Sequence, residues 1–339
     1  DWSSDVCSSD LLNARFIEIY GLQEELSPDV PLDEITILKD EVNQRELKIL
    51  SAKYLSGWQL KGDTWLLENQ NPYPELPFDE KELVQQFISY AVGCMMGRYS
   101  LDKEGLILAN QGETIQDFFD KTEASIPHSE RFIPDEDAII PVLDSEWFED
   151  DIVTQFRGFV RSVWGKDSLQ SNIKYIERVL GKPLRNYFYR DFYTDHIKRY
   201  KKRPIYWMIA SPSGDFQVLF YMHRYHQNLI SDVLNDYLRP YIEKLENHIE
   251  HLNHLAVEGS AREQTQAKRE IANVEKIVDE LRKYDREVLY PLATERISID
   301  LDDGVLVNYN RFDDVLKRVP GLNDAATRKK VKGFDWVKW

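Results

Sequence analysis

Cysteine is nearly absent from this 339-residue chain. Cys7 and Cys94 are too few to staple a fold of this size and lack the paired spacing of a metal site, which suits a reducing cytoplasm. Long apolar runs are missing as well. The longest, Tyr90 to Met96, falls far short of the roughly 20 residues that cross a bilayer, and no cleavable signal precedes it, so neither a membrane partner nor secretion is expected. There is no phosphate-cradling Gly-rich loop, no Ser-His-Asp or Cys-His ordering and no paired metal motif, so the chain is expected to hold no catalytic centre, cofactor or metal of its own. Basic residues are outnumbered, with 43 Lys and Arg against 59 Asp and Glu for a net charge of −16. Taken globally, that balance argues against nucleic acid, because binding DNA needs a positive surface to displace counterions from phosphates.

What is present changes that reading. Hydrophobic residues make up 42% of the chain and aromatics 12%, enough buryable surface for an ordered protein of two or three packed units. Charge is segregated along the sequence. Lys182 to Arg203 holds eight basic residues against Asp191 and Asp195, a local +6, whereas Glu130 to Asp151 holds nine acids against Arg131 alone. One face can therefore be basic despite the total.

The pattern along the chain predicts an α+β fold that is predominantly α-helical. Residues 1–10 repeat Ser-Ser-Asp without apolar periodicity and look like translated adaptor sequence. Residues 11–125 form a helical connector. Within it, Leu12, Phe16, Ile19 and Tyr20 recur at helical spacing before Gly21, and Asp79 opens a second helix carrying Leu83, Phe87, Tyr90, Ala91 and Cys94 to Gly97. Leu32 to Leu38 lies between proline-marked turns, and Asn69 to Pro77 is a proline loop. In 126–228, the acidic stretch from Ile126 to Asp144 is expected to be a surface connection leading to a helix from Trp147 to Val163. Helices are expected again at 168–180 and 183–200. The period then changes: 204–210 and 216–222 are β-branched and aromatic runs joined by Ser211-Pro-Ser-Gly-Asp215, a β-hairpin. In 229–290, Ile242, Leu245, Ile249 and Leu252, then Ile271, Val274, Val278 and Leu281, describe a long antiparallel helical hairpin closed by Pro291. Residues 291–339 are expected to give a strand-turn-strand, 297–301 and 305–309 around Asp302-Asp303-Gly304, and a short helix at 313–318.

Three motifs invite functional readings that weaken on inspection. Asn71-Pro72-Tyr73 resembles the Asn-Pro-Pro-Tyr motif that holds an extruded adenine, but one proline is missing and no strand precedes it, so a plain proline loop is the better reading. His248, His251 and His254 are spaced for one helix face, yet no carboxylate or cysteine completes a metal site. Asp300 to Gly304 looks like a calcium loop with its glycine one position early and Arg311 where the chelating glutamate belongs. The basic run is different. Lys198, Arg199, Lys201, Lys202 and Arg203 feed into an aromatic hairpin ending in His223-Arg224-Tyr225, placing cations for phosphates beside polar and aromatic groups. Together with Arg224 these are the candidate DNA-binding residues. A solvated helix end is the competing reading.

Several ordered stretches resemble the C-terminal third of the PglX adenine-specific DNA methyltransferases of type 1 BREX phage-defence systems. They are Leu12–Leu26, Ile88–Asp102 with Gly105–Glu113, Lys201–Trp207, Tyr221–Tyr225, Val288–Thr294 and Asp300–Val305, together spanning residues 12 to about 322. The resemblance implies a parent enzyme that moves a methyl group from S-adenosylmethionine to adenine in double-stranded DNA. Its cofactor pocket and Asn-Pro-Pro-Tyr motif would lie in an upstream Rossmann-like domain, no complete copy of which is expected here, so no catalytic or cofactor residue carries over. Residues 126–228 would then be the target-recognition region of an otherwise inactive fragment. The alternative is an interaction module in which the helical hairpin docks other BREX proteins.

Overall fold

The computed structural model describes residues 12–28, 41–52, 58–67, 76–122, 131–312 and 314–332. Residues 1–10, Leu32 to Leu38 and Asn71-Pro72-Tyr73 lie outside them. The chain divides into two compact units, Asp1–Gln86 and Phe87–Trp339, and the division falls inside one helix.

In the first unit, α1 (12–20) ends as expected at Gly21, whose φ of 67° suits a residue without Cβ. Helix α2 (Gln44–Ser51) is capped by the Asn43 side chain, which accepts from the N–H groups of Arg45 and Glu46. Strands β1 (Trp58–Lys61) and β2 (Thr64–Leu67) pair antiparallel around Gly62-Asp63, so the connector is not wholly helical. Helix α3 (Glu80–Met95) begins where Asp79 Oδ1 accepts from the N–H groups of Lys81 and Glu82.

The second unit is organised by a small antiparallel sheet. Strands β4 (Tyr206–Ala210) and β5 (Gln217–Tyr221) form the expected hairpin, with Trp207 opposite Phe220 and Ile209 opposite Val218. A strand not anticipated, β3 (Ile139–Pro141), pairs with the other edge of β5, giving the order β3-β5-β4. The stretch taken for an acidic surface connection therefore enters the core: Ala138 to Val142 is fully buried, and the acids stay at its two ends. Pro141 fits because β3 is an edge strand, where a missing N–H breaks no ladder. On the opposite edge, Val315 and Lys317 bond to β4 through Ala210 N–H to Val315 O and Lys317 N–H to Met208 O. In place of the helix expected at 313–318, the described residues 314–318 form a turn at 314–315 and a short extended contact in which Leu316 bridges Ile209.

Side chains alternate across the sheet. Tyr206 stacks on His196, while Trp207, on the other face, packs edge-on against Tyr309 and Phe312. Both faces are covered, which is why these strands read as continuous apolar runs. The described helices of this unit between α3 and β4 are α4 (Ile115–Lys121), α5 (Ile152–Trp164), α6 (Leu169–Leu180), α7 (Leu184–Tyr187) and α8 (Tyr193–Arg199), which carries His196; the last two are joined by a π-helical turn. Helix α5 starts at Ile152 rather than Trp147 because Asp151 caps it, accepting from Val153 and Thr154 N–H.

Helix α9 (Leu229–Asp232) leads through another π-helical turn into the helical hairpin, α10 (Arg239–Glu258) and α11 (Ala261–Tyr284). Leu245, Leu252, Val274, Val278 and Leu281 are buried, as the spacing predicted. A reciprocal capping box between Ser260 and Glu263 starts α11. Pro291 does not close the hairpin. A π-helical turn over Asp285–Leu289 precedes α12 (Tyr290–Glu295), and the proline sits in the first turn, where no N–H is required. The expected strand-turn-strand is likewise replaced by a 3₁₀ turn, Leu301–Asp303, and α13 (Gly304–Tyr309). Asn308 Nδ2 donates to the carbonyls of Asp300 and Gly304, local bonds that compete with strand pairing. The last described helix, α14 (Ala325–Lys332), lies beyond the expected one.

Candidate nucleic-acid interface

The basic run occupies the end of α8 and the turn into β4. Cations in the last helical turn suit the partial negative charge there. The turn is tight: Lys201 and Lys202 adopt φ of 49° and 62°, and Lys202 N–H bonds to Ile197 O at 2.8 Å. Left-handed backbone at two successive lysines costs on the order of 1 kcal/mol each. It turns the side chains of Lys201, Lys202 and Arg203 into solvent, with Lys198 also exposed and Arg199 half-buried.

Below the turn lies a buried aromatic and imidazole layer. His196 is 2% exposed, and its Nε2 accepts from Tyr206 N–H at 3.1 Å. Burial, helped by the Arg98 and Arg199 cations, pushes its pKa down to about 3, so the ring is neutral and anchors the turn to the sheet. Arg98 donates from Nε to Tyr99 Oη at 3.1 Å. Burial and Arg98 also lower His223.

Of the eight basic residues in 182–203, two are structural. Lys182 pairs with Asp191 at 2.7 Å, and Arg185 grips the buried Asp151 with both terminal nitrogens, at 2.7 and 2.9 Å. Arg224 is set apart from the other candidates. It is 6% exposed, and its guanidinium donates to the backbone carbonyls of Asp135 and Glu136. That role binds the β3 entry to the end of β5 and leaves no open face for a phosphate. Sequence reasoning missed Arg98, because a charge count along the chain cannot bring a residue of α3's end to α8. Its neighbours give the only signal, the Gly97-Arg98-Tyr99 turn after a buried helix.

The other motifs resolve into structure. His248 Nε2 meets Glu270 at 3.0 Å, whereas His251 and His254 are exposed. Among the described residues no group of His, Cys, Asp and Glu is arranged to hold a metal, and no helix is long and apolar enough to cross a membrane. Arg311 pairs with Asp303 at 2.6 Å and donates to Ser298 O, tying the would-be calcium loop shut. The buried apolar stripe of the helical hairpin packs between α10 and α11, while Val257 near the end of α10 stays exposed.

No family model matches the chain. Its relatives are adenine-specific methyltransferases. It is 37% identical over 312 residues to the adenine-specific methyltransferase BrxX of Escherichia coli O9:H4 (strain HS), a match covering 87% of this chain and 25% of that protein. It is 34% identical over 310 residues to the adenine-specific methyltransferase PglX of Lacticaseibacillus casei (strain Zhang), covering 88% and 22%. Over this stretch the chain is similar to the BrxX and PglX adenine-specific methyltransferases, and it spans about a quarter of the length of these relatives.

Proposed function

We propose that this chain is the DNA-gripping, target-recognition part of a BREX adenine-specific methyltransferase. The methyl donor S-adenosylmethionine is held, and the transfer performed, by a part of the enzyme outside it. The observation that carries this reading is the exposed turn of Lys198, Lys201, Lys202 and Arg203, anchored to a buried sheet through His196 in a relative of adenine-specific methyltransferases. Cations fixed at one end of a scaffold hold phosphates and set register, leaving base discrimination to other groups. The implied setting is marking of host DNA during phage exclusion.

The test is binding of the chain to labelled duplex DNA over a salt series. Neutralising Lys201, Lys202 and Arg203 to Gln should lower the slope of log K against log salt by about 2.7, near 0.9 for each phosphate contact. An unchanged slope removes the turn from the interface. Incubation of the chain with S-adenosylmethionine and DNA should give no methyl transfer; turnover overthrows the division of labour.

A further inference from the structure

At the far end of β4 from the basic turn lies a cleft of about 530 Å³ that the sequence reading did not anticipate. Its walls are the Ser211–Gly214 turn of the hairpin, the 314–318 segment, and four cations from three parts of the chain: Arg190, Lys317, Arg318 and Arg328. One carboxylate on the wall, Asp314, is paired with Arg328 at 2.7 Å. Glu280 approaches the turn from α11 and accepts from Ser213 N–H at 3.3 Å. Arg190 and Arg318 are exposed and form no hydrogen bond or ion pair with another described residue. Lys317 is half-buried, its Nζ donating to Gln217 Oε1 at 2.9 Å, and burial pulls its ammonium below the usual range. In a chain of net charge −16, the four cations on this wall outnumber its one carboxylate, Asp314, with Glu280 and Asp215 beside the rim.

We propose that this cleft is an anion site that receives a phosphodiester group of the DNA backbone. The volume falls within the range of small-ligand sites, and guanidinium groups match phosphate oxygens through paired N–H donors. The proposal rests on the DNA reading above and adds a second contact to it. Residues 315–317 pair antiparallel with β4 next to the cleft, and a turn further along the chain brings Gly321 against the Lys202 side chain. The eight steps of chain from Arg203 to Ser211, with β4 between them, separate the two cationic ends by no more than about 26 Å at 3.3 Å per residue. That distance corresponds to roughly seven base pairs of axial rise.

The experiment uses this chain, with Arg190→Gln and Arg318→Gln combined, both exposed changes that leave the half-buried Lys317 and the paired Arg328 in place. A thermal melt matching wild type establishes folding. Duplex DNA binding over salt should then lose about 1.8 from the slope, with an equal loss of affinity for duplexes of unrelated sequence. If the slope is unchanged while neutralising the 201–203 turn still lowers it, the cleft is overturned and the DNA reading stands. If wild-type chain binds no duplex, both fall. Inorganic phosphate supplies the remaining arm. Stabilisation of wild type by phosphate over chloride, lost in the double variant without any change in DNA slope, marks a site for a free anion and overturns the phosphodiester assignment.

Discussion

Replacing Asp135 by Asn should make this protein more resistant to unfolding at alkaline pH. Asp135 sits at the entry to β3, where Gln155 Nε2 donates to its Oδ2 at 2.6 Å. The Tyr237 hydroxyl lies 2.9 Å from both Asp137 Oδ2 and Asp150 Oδ2. One hydroxyl proton cannot serve two carboxylates, so the group of acids is short of donors unless it retains a proton. Burial, with the Asp137 carboxyl beside it, pushes Asp135 up to about 8, and burial also raises Asp150. Because the folded pKa lies above the unfolded one, ionisation opposes folding. The stability is complete below the unfolded value near 3.8 and is lost as pH rises through about 8. At about 1.4 kcal/mol per pH unit the ceiling is roughly 6 kcal/mol. Sharing of the proton with neighbouring acids, relaxation and water entry reduce it, and a relative loss of about 2–3 kcal/mol between pH 5 and pH 9 is expected. Asn keeps the acceptor for Gln155 and adds a donor toward Asp137 without a charge. Urea unfolding followed by tryptophan fluorescence at several pH values reads the difference, and the comparison with wild type cancels the general effect of the chain's negative charge. Parallel stability profiles for the two proteins would refute the reasoning.

Two further changes probe the scaffold under the proposed interface. Arg185→Ala strands Asp151, which is 1% exposed and caps α5, and should cost about 3–5 kcal/mol in denaturant unfolding; a loss under about 1 kcal/mol denies the pair its buried role. Gly93→Ala sets helix propensity against packing. Alanine gains about 1 kcal/mol in a helix interior, but its Cβ would lie 2.4 Å from Tyr99 Cδ2 and 3.1 Å from Tyr206 Oη. Overpacking costs about 1–3 kcal/mol, so a lower melting temperature is expected, and a higher one contradicts the close approach of α3 to β4.

The features legible in the sequence are those whose signal is local and periodic. The helical hairpin and the β4–β5 hairpin each carry their own spacing and turn chemistry, and both form where expected. The failures occur where a segment takes its conformation from distant residues. β3 is a short apolar run between acids, and it becomes a strand because β5 offers an edge. Residues 314–318 carry a weak helical pattern that yields to hydrogen bonds with β4. Gly304 and Asn308 convert an apparent turn into a helix start through side-chain bonds that no alternation pattern reveals. For the candidate site the same limit applies: the exposed cations of one turn were readable, but the burial of Arg224 and the convergence of Arg190 with Arg318 depend on chain reversals.

Under the proposed function, the acidic total and the basic edge act together. Attraction from the turn and cleft is screened within roughly 8 Å at physiological salt, so a duplex is held only when that edge closely faces it. Elsewhere the net negative charge repels the phosphates, which penalises wrongly oriented encounters more than it weakens the right one. Lowering the salt lengthens the reach of both fields. The attraction and the repulsion then grow together, and the gain in affinity is smaller than the count of phosphate contacts alone would give. Charge reversal at the turn would add to the repulsion and exaggerate its contribution, whereas neutral Gln removes the contact alone. For that reason the slope lost on neutralisation, rather than the total slope, is the measure of how many phosphates this edge engages.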